Sequence, residues 1–241
     1  KFNTQENTKN EDFEASCKKA DFIMTMLPNT DIVKSTFAQI SNYSPKPNTQ
    51  FIDSSTICPI ESKNISNLLI SKGFNSADAP VSGGVIGATN ATLTFMVGTN
   101  PARYEIIKEF LSSMGKNFFN CGDIGTGQIA KICNNLVLGI TTAAVSESVT
   151  LGNKLGIDEK ILCKIMSVSS AYCWSLNVNS PVAGVLGTAP SDRNYEKGFG
   201  TSLMLKDLNL AKEAAELSKV DIELGNKSLE YYKNIKDDGK G

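Results

Sequence analysis

From Gly127 to about Leu155 the chain runs through small and apolar residues, with Lys131, Glu147 and Lys154 its only charges. A stretch of that length and texture predicts one long helix. A helix so poor in charge is expected to be buried, because a surface helix carries a polar face. A glycine pair, Gly125 and Gly127, opens it. Lys131 and Asn135 stand four residues apart and share a helical face, so both can point at one small molecule.

The chain before this helix alternates. Phe22–Leu27 is a nearly continuous apolar run closed by Pro28, which is how a buried parallel strand reads. Further strands are expected at 51–53, 74–78, 93–97 and 117–119. Helices are expected at 9–20, at 31–41 (Ile32, Val33, Phe37 and Ile40 inward), at 59–72 closed by Gly73, and at 101–114. A glycine-rich connection, Ala79 to Ala88, interrupts the series. Strands alternating with helices predict a mostly parallel sheet covered by helices. After the long helix come a helix at 159–167 capped by Gly156 and Asp158, an irregular stretch over 175–200, and an amphipathic helix at 201–219. Leu203, Leu210, Ala214 and Leu217 form the stripe of that amphipathic helix, and a last helix is expected at 223–235. The fold class is α/β followed by all-α, divided near Gly122–Gly125 into domains 1–124 and 125–241. Residues 1–8 and the charged tail 236–241 are expected to be frayed.

Composition removes several classes of function. With 241 residues, 41% of them hydrophobic, the chain can build a sizeable core. Its formal net charge is −1 and it has no long basic run, so nucleic-acid binding is not expected. No apolar run reads as long enough to span a bilayer. There are no histidines, which excludes a Ser-His-Asp or Cys-His engine and a histidine-ligated metal. The six cysteines are scattered without a CxxC pair, so no metal site is expected and free thiols are. Proton transfer near neutral pH then falls to Lys, Asp, Glu, Tyr or Cys. A lysine is ordinarily a solvated surface residue. Lys131 differs in its apolar company, and desolvation lowers the pKa of an amine toward a useful range. Adjacent glycines in Ser82-Gly83-Gly84 read as a turn, or as a nest of backbone N–H groups for an anion.

Four ordered segments carry a resemblance: Asp53-Ser54-Ser55-Thr56, Asp78 to Gly84 (DAPVSGG), Gly125 to Asn135, and Gly200 to Leu208 (GTSLMLKDL). Met26-Leu27-Pro28 and Leu93 to Gly98 agree with them. Together they resemble the β-hydroxyacid dehydrogenase family, most of all its 3-hydroxyisobutyrate branch, over nearly the whole chain from residue 9. The resemblance implies a truncated Rossmann-type domain followed by a helical domain built on one long helix. It implies oxidation of 3-hydroxyisobutyrate to methylmalonate semialdehyde with NAD, a step of valine catabolism. By the same resemblance Lys131 is the acid/base and Asn135 its catalytic companion. Ser82, Gly83, Gly84 and Asp207 bind substrate. Leu27, Pro28, Thr56 and Lys206 contact the cofactor. Trp174 and Phe199 line the substrate pocket or the core.

Two departures stand out. The family opens with a GxGxxG turn that cradles the cofactor pyrophosphate, whereas the first glycine here is Gly73. Many relatives carry an asparagine in the turn after Leu-Pro where ungapped counting gives Ile32. The expectation is therefore a piece of a longer chain, with an exposed edge on the Phe22–Leu27 strand. The alternatives are a related reductase of tartronate semialdehyde, glyoxylate or succinic semialdehyde, and a non-catalytic dimerising module. The expected partners are a small 3-hydroxy acid and a second copy of the chain, without nucleic acid or membrane. The resemblance implies a mitochondrial location, with the cytoplasm as the alternative.

Overall fold

The structure, a computed structural model, describes residues 12–196 and 198–238. The expectations for residues 1–8 and for the last three residues of the tail lie outside them. Two compact units emerge: Lys1–Gly83 with Gly87–Lys131, and Gly84–Ile86 with Ile132–Gly241.

The first unit is a six-stranded sheet with helices. Its elements are α1 (Phe13–Lys19), β1 (Phe22–Thr25), α2 (Thr30–Asn42), β2 (Gln50–Asp53), α3 (Pro59–Ser71), β3 (Asn75–Asp78), β4 (Val81–Ser82), β5 (Leu93–Thr99), α5 (Tyr104–Leu111) and β6 (Gly115–Gly122). A short helix, α4 (Gly84–Thr89), follows β4. The strand order is β1-β2-β3-β5-β4, with β6 on β5. β1, β2 and β3 are parallel and in register, so Thr25 faces Asp53 and Asp53 faces Asp78 at their carboxyl ends. β5 runs antiparallel to β3 and β4 and parallel to β6.

Alternation along β2 sends Phe51 and Ile52 to opposite faces of the sheet. Phe51 joins Val33, Phe37, Ile40, Ile57 and Leu69 in one core. Ile52 joins Ala77, Phe95, Val97, Ile107 and Leu111 in the other. Each large side chain buried this way contributes roughly 1.5–3 kcal/mol. Ile32 departs from the expected inward set, and its place on α2 is exposed. β1 is half-buried rather than buried. Among the described residues it pairs with β2 alone, so its outer edge lacks the cover that a central parallel strand has.

The second unit is helical. The long helix α6 (Thr126–Lys154) leads into α7 (Glu159–Met166), α8 (Trp174–Asn177), α9 (Thr201–Ser218) and α10 (Glu223–Asp237). Asp158 caps α7, its carboxylate accepting from the Lys160 and Ile161 amides. Val145, Val149, Cys163, Met166, Leu176 and Val182 make the core.

Three expectations for this unit are corrected. The buried face of α9 is Met204, Asp207, Leu208, Ala211 and Ala215, whereas Leu203 and Leu217 are exposed. The true stripe lies one position over, because Asp207 is buried through polar partners and does not register as apolar. α6 is not buried along its length: Val137 and Leu151 are each about 60% exposed (59% and 61%). It is also long and apolar enough to cross a membrane, with a mean hydropathy of 1.3 over its most apolar window. The threonines and serines scattered through α6 break up its apolar run, which hid that property.

Candidate active site

The first turns of α6 are held by a carboxylate from the sheet. Asp78, the last residue of β3, is 1% exposed. The Gly125 N–H donates to Asp78 Oδ1 at 2.6 Å, and the Gln128 N–H donates to Oδ2 at 2.8 Å. These amides belong to the helix start, where backbone donors lack partners within the helix and the dipole favours negative charge. Burial pushes the Asp78 carboxyl up to about 6. The Gly125 and Gln128 amides pull it down, and the nearby Asp53 carboxylate adds to the upward push.

This docking explains the glycine pair. A Cβ on Gly127 would overlap the Met96 carbonyl oxygen and lie 2.7 Å from Asp78 Oδ2. Gly125 has φ +91°, a left-handed conformation that costs a side-chain-bearing residue energy. These glycines serve the close approach of helix to strand.

One turn further along α6, Lys131 is 8% exposed and donates to Ser82 Oγ at 3.1 Å. Ser82 ends β4, which the sequence reading took for part of a loop. Gly83 and Gly84 follow with φ +133° and +60°, and both are exposed. A Cβ on Gly84 would meet nothing within 4 Å, so its backbone faces open space. A serine hydroxyl, a glycine pair with positive φ and a lysine amine suit a small anionic hydroxylated ligand.

Leu27, Pro28 and Thr56 follow the carboxyl ends of β1 and β2, where parallel α/β sheets bind their ligands. The Leu27 N–H donates to Ser55 Oγ at 2.8 Å, and Ser55 Oγ donates to Asp53 Oδ1 at 2.6 Å. Thr25 Oγ1 donates to the same Asp53 oxygen at 2.9 Å. Both turns are thereby tied to one buried carboxylate. Asn29, directly after Pro28, caps α2 by accepting from the Ile32 N–H at 2.9 Å. These strand ends fit one flank of a dinucleotide. A glycine-rich pyrophosphate turn is not found in the 72 residues before Gly73.

In the helical unit Asn135 is 1% exposed and donates to Asp207 Oδ2 at 2.6 Å. Its Oδ1 accepts from Asn134 Nδ2 at 3.0 Å. Lys206 Nζ lies 3.2 Å from Asp207 Oδ1. The structure thus joins Asn135, Asp207 and Lys206 in one polar group, and Ser82 with Lys131 in another. Lys131 and Asn135 are successive turns of one helix. Trp174 and Phe199 line a cavity of about 1280 Å³ in the helical unit, with Leu138, Thr142, Met204 and Tyr232. Lys131, Asn135 and Asp207 are not among its walls.

Sequence reading missed Asp78 and Gln128. A glutamine in the third position of a helix is a capping-box signal. Here its side chain reaches out of the helix to Ser55 and Ile57, which no local pattern reveals.

Comparison with known proteins agrees in both halves. Residues 1–122 match the family model for the NAD binding domain of 6-phosphogluconate dehydrogenase. Residues 125–241 match that for the NAD-binding domain of NADP-dependent 3-hydroxyisobutyrate dehydrogenase. The mitochondrial 3-hydroxyisobutyrate dehydrogenase of Drosophila melanogaster is 42% identical over 93% of this chain and 69% of its own length. The human mitochondrial enzyme of that name is 43% identical over 90% of this chain and 65% of its own length. A solved Mycobacterium tuberculosis 3-hydroxyisobutyrate dehydrogenase with L-serine superimposes with a TM-score of 0.89 at 36% identity. That match covers 93% of this chain and 77% of the other.

Proposed function

This chain belongs to the 3-hydroxyisobutyrate dehydrogenase family, and we propose that it oxidises 3-hydroxyisobutyrate to methylmalonate semialdehyde through Lys131. It is an oxidoreductase, and NAD is its cofactor. The observation that carries the proposed mechanism is the buried Lys131 amine on Ser82 Oγ, followed in the chain by Gly83 and Gly84 with positive φ.

When bound, NAD supplies the acceptor for the hydride that leaves the hydroxyl-bearing carbon. Leu27, Pro28, Thr56 and Lys206 would hold it. The Gly83 and Gly84 backbone and the Ser82 hydroxyl hold the substrate carboxylate. Lys131, as the neutral amine, takes the proton of the substrate hydroxyl as the carbon–oxygen double bond forms, and becomes an ammonium. In the reverse direction the ammonium returns that proton. Asn135 orients the substrate, and Asp207 supports it. The domain boundary at 124/125 is part of this reading, supported by the edges of the two family matches.

The substrate is a small hydroxy acid. Several relatives are named mitochondrial, and a mitochondrial location is the proposal for this protein. A homodimer or larger assembly is proposed from the exposed apolar residues Val137, Leu151, Leu155, Val168 and Leu224 of the helical unit, a pattern that marks interaction surfaces. Analytical ultracentrifugation tests it.

The decisive experiment is Lys131→Ala in the native full-length protein, assayed for NAD reduction with 3-hydroxyisobutyrate. General acid–base groups contribute about 10²–10⁴-fold, so turnover should fall by at least about 100-fold. Turnover equal to the unmodified enzyme's overturns the mechanism.

A further inference from the structure

Gln128 has a geometry that the reaction scheme above does not use. It lies one helical turn before Lys131 and is 0% exposed. Its Nε2 donates to the Ser55 carbonyl at 2.8 Å, and its Oε1 accepts from the Ile57 N–H at 3.1 Å. The side chain therefore brackets Thr56, the residue placed against the cofactor. Its own backbone N–H is held by Asp78 Oδ2 at 2.8 Å. Ser55, in turn, receives the Leu27 N–H on its hydroxyl. A buried amide satisfied at both ends by main-chain groups of another segment has little freedom to relax.

We infer that Gln128 is a positioning residue that locks the start of the lysine-bearing helix to the cofactor-side turn 55–57. It fixes the lysine and the hydride acceptor in one frame. Three contacts determine the placement: Asp78 sets where the helix starts, Gln128 sets its distance from the turn, and Gly127 lets the backbones meet. Hydride transfer is sensitive to such placement, since a misfit of about 1 Å can cost on the order of 100-fold in rate. The inference rests on the dehydrogenase reading for its kinetic consequence and on geometry alone for the lock.

The test uses Gln128→Glu and Gln128→Ala in the native full-length protein. Glutamate keeps the acceptor for the Ile57 N–H, and only its protonated form can donate to the Ser55 carbonyl. A buried carboxyl is pushed toward that neutral form by desolvation. The ratio of Gln128→Glu to unmodified turnover should therefore rise as pH falls. Gln128→Ala should lower kcat by about 10- to 100-fold at every pH, with a smaller change in KM. It should also raise the deuterium isotope effect for substrate labelled at the hydride-bearing carbon. Amide hydrogen exchange at Ile57 should quicken in Gln128→Ala, a reading that needs no substrate. A pH-independent ratio together with kcat within twofold in Gln128→Ala overturns the positioning role. Unchanged exchange at Ile57 overturns the lock. Failure of the unmodified protein to oxidise the hydroxy acid sinks the dehydrogenase reading and leaves the exchange test standing.

Discussion

Each unit of the chain has a buried carboxylate bonded to the long helix α6, Asp78 in one and Asp207 in the other, and the two are treated in opposite ways. Asp78 in the α/β unit receives backbone N–H groups from a helix start. Asp207 in the helical unit receives an amide from Asn135 and lies against the Lys206 ammonium. Dipoles from the main chain cost no side-chain entropy, yet they do not offset the burial of Asp78, whose carboxyl is held near 6. A full positive charge 3.2 Å from Asp207 Oδ1 supplies the charge pairing that a buried carboxylate needs, although that oxygen accepts no hydrogen bond among the described residues. The two carboxylates thus anchor successive parts of α6 by different means, main-chain dipoles for one and side-chain partners for the other.

Removing the charged anchor should cost most. Asp207→Ala leaves the Asn135 amide buried without the Asp207 acceptor and takes the Asp207 carboxylate away from Lys206, 26% exposed on its side chain. Breaking a buried pair typically costs about 3–5 kcal/mol. Lys206 keeps some solvent, so a loss of about 3 kcal/mol in urea unfolding is expected. A loss under about 1 kcal/mol would mean that the Asp207 carboxylate and its partners do not anchor the helical unit, and the contrast would fail.

The dipole anchor should show itself through pH. The folded carboxyl of Asp78 sits at about 6, above its ordinary value of 3.8. Between those values the folded state binds more protons than the unfolded one, so stability is fully present below pH ~4 and falls as pH rises through about 6. A shift of about two units corresponds to about 3 kcal/mol across that window. Most carboxylates act in the other direction, so the difference between unmodified protein and Asp78→Asn isolates the effect. Unfolding free energies from pH 4 to 7 should decline more steeply in the unmodified protein. Parallel curves would remove Asp78 as the source.

The order of strands and helices was legible because apolar runs, prolines and the long charge-poor helix carry strong local signals. β4 and α4 were not, since Val81 to Thr89 is rich in glycine and β4 owes its form to pairing with β5. β6 was read as three residues and spans Gly115–Gly122. Its asparagines and lysine hide a strand whose partner β5 supplies the order. Five of the residues assigned to the site through family likeness fall into two bonded groups, Lys131 with Ser82 and Asn135 with Asp207 and Lys206. What holds those groups in place lay out of reach: Asp78 and Gln128 act over 47 to 73 positions of chain. No periodicity links residues so far apart.

The smallest expected effect concerns Asn134, the neighbour of Asn135 on α6. Its side chain is exposed and donates to Asn135 Oδ1 at 3.0 Å. Water can replace a solvent-facing donor at little cost, so Asn134→Ala should lower stability by no more than about 0.5–1 kcal/mol. The contact has a geometric consequence all the same. Asn135 Nδ2 is already committed to Asp207, and the Asn134 amide fixes which way the Asn135 amide plane faces. If Asp207 alone holds that plane, turnover of Asn134→Ala stays within about twofold of the unmodified enzyme. A tenfold fall in kcat at unchanged unfolding free energy would show that Asp207 and its ammonium partner do not suffice. The anchor of the helical unit would then extend to the exposed face of α6.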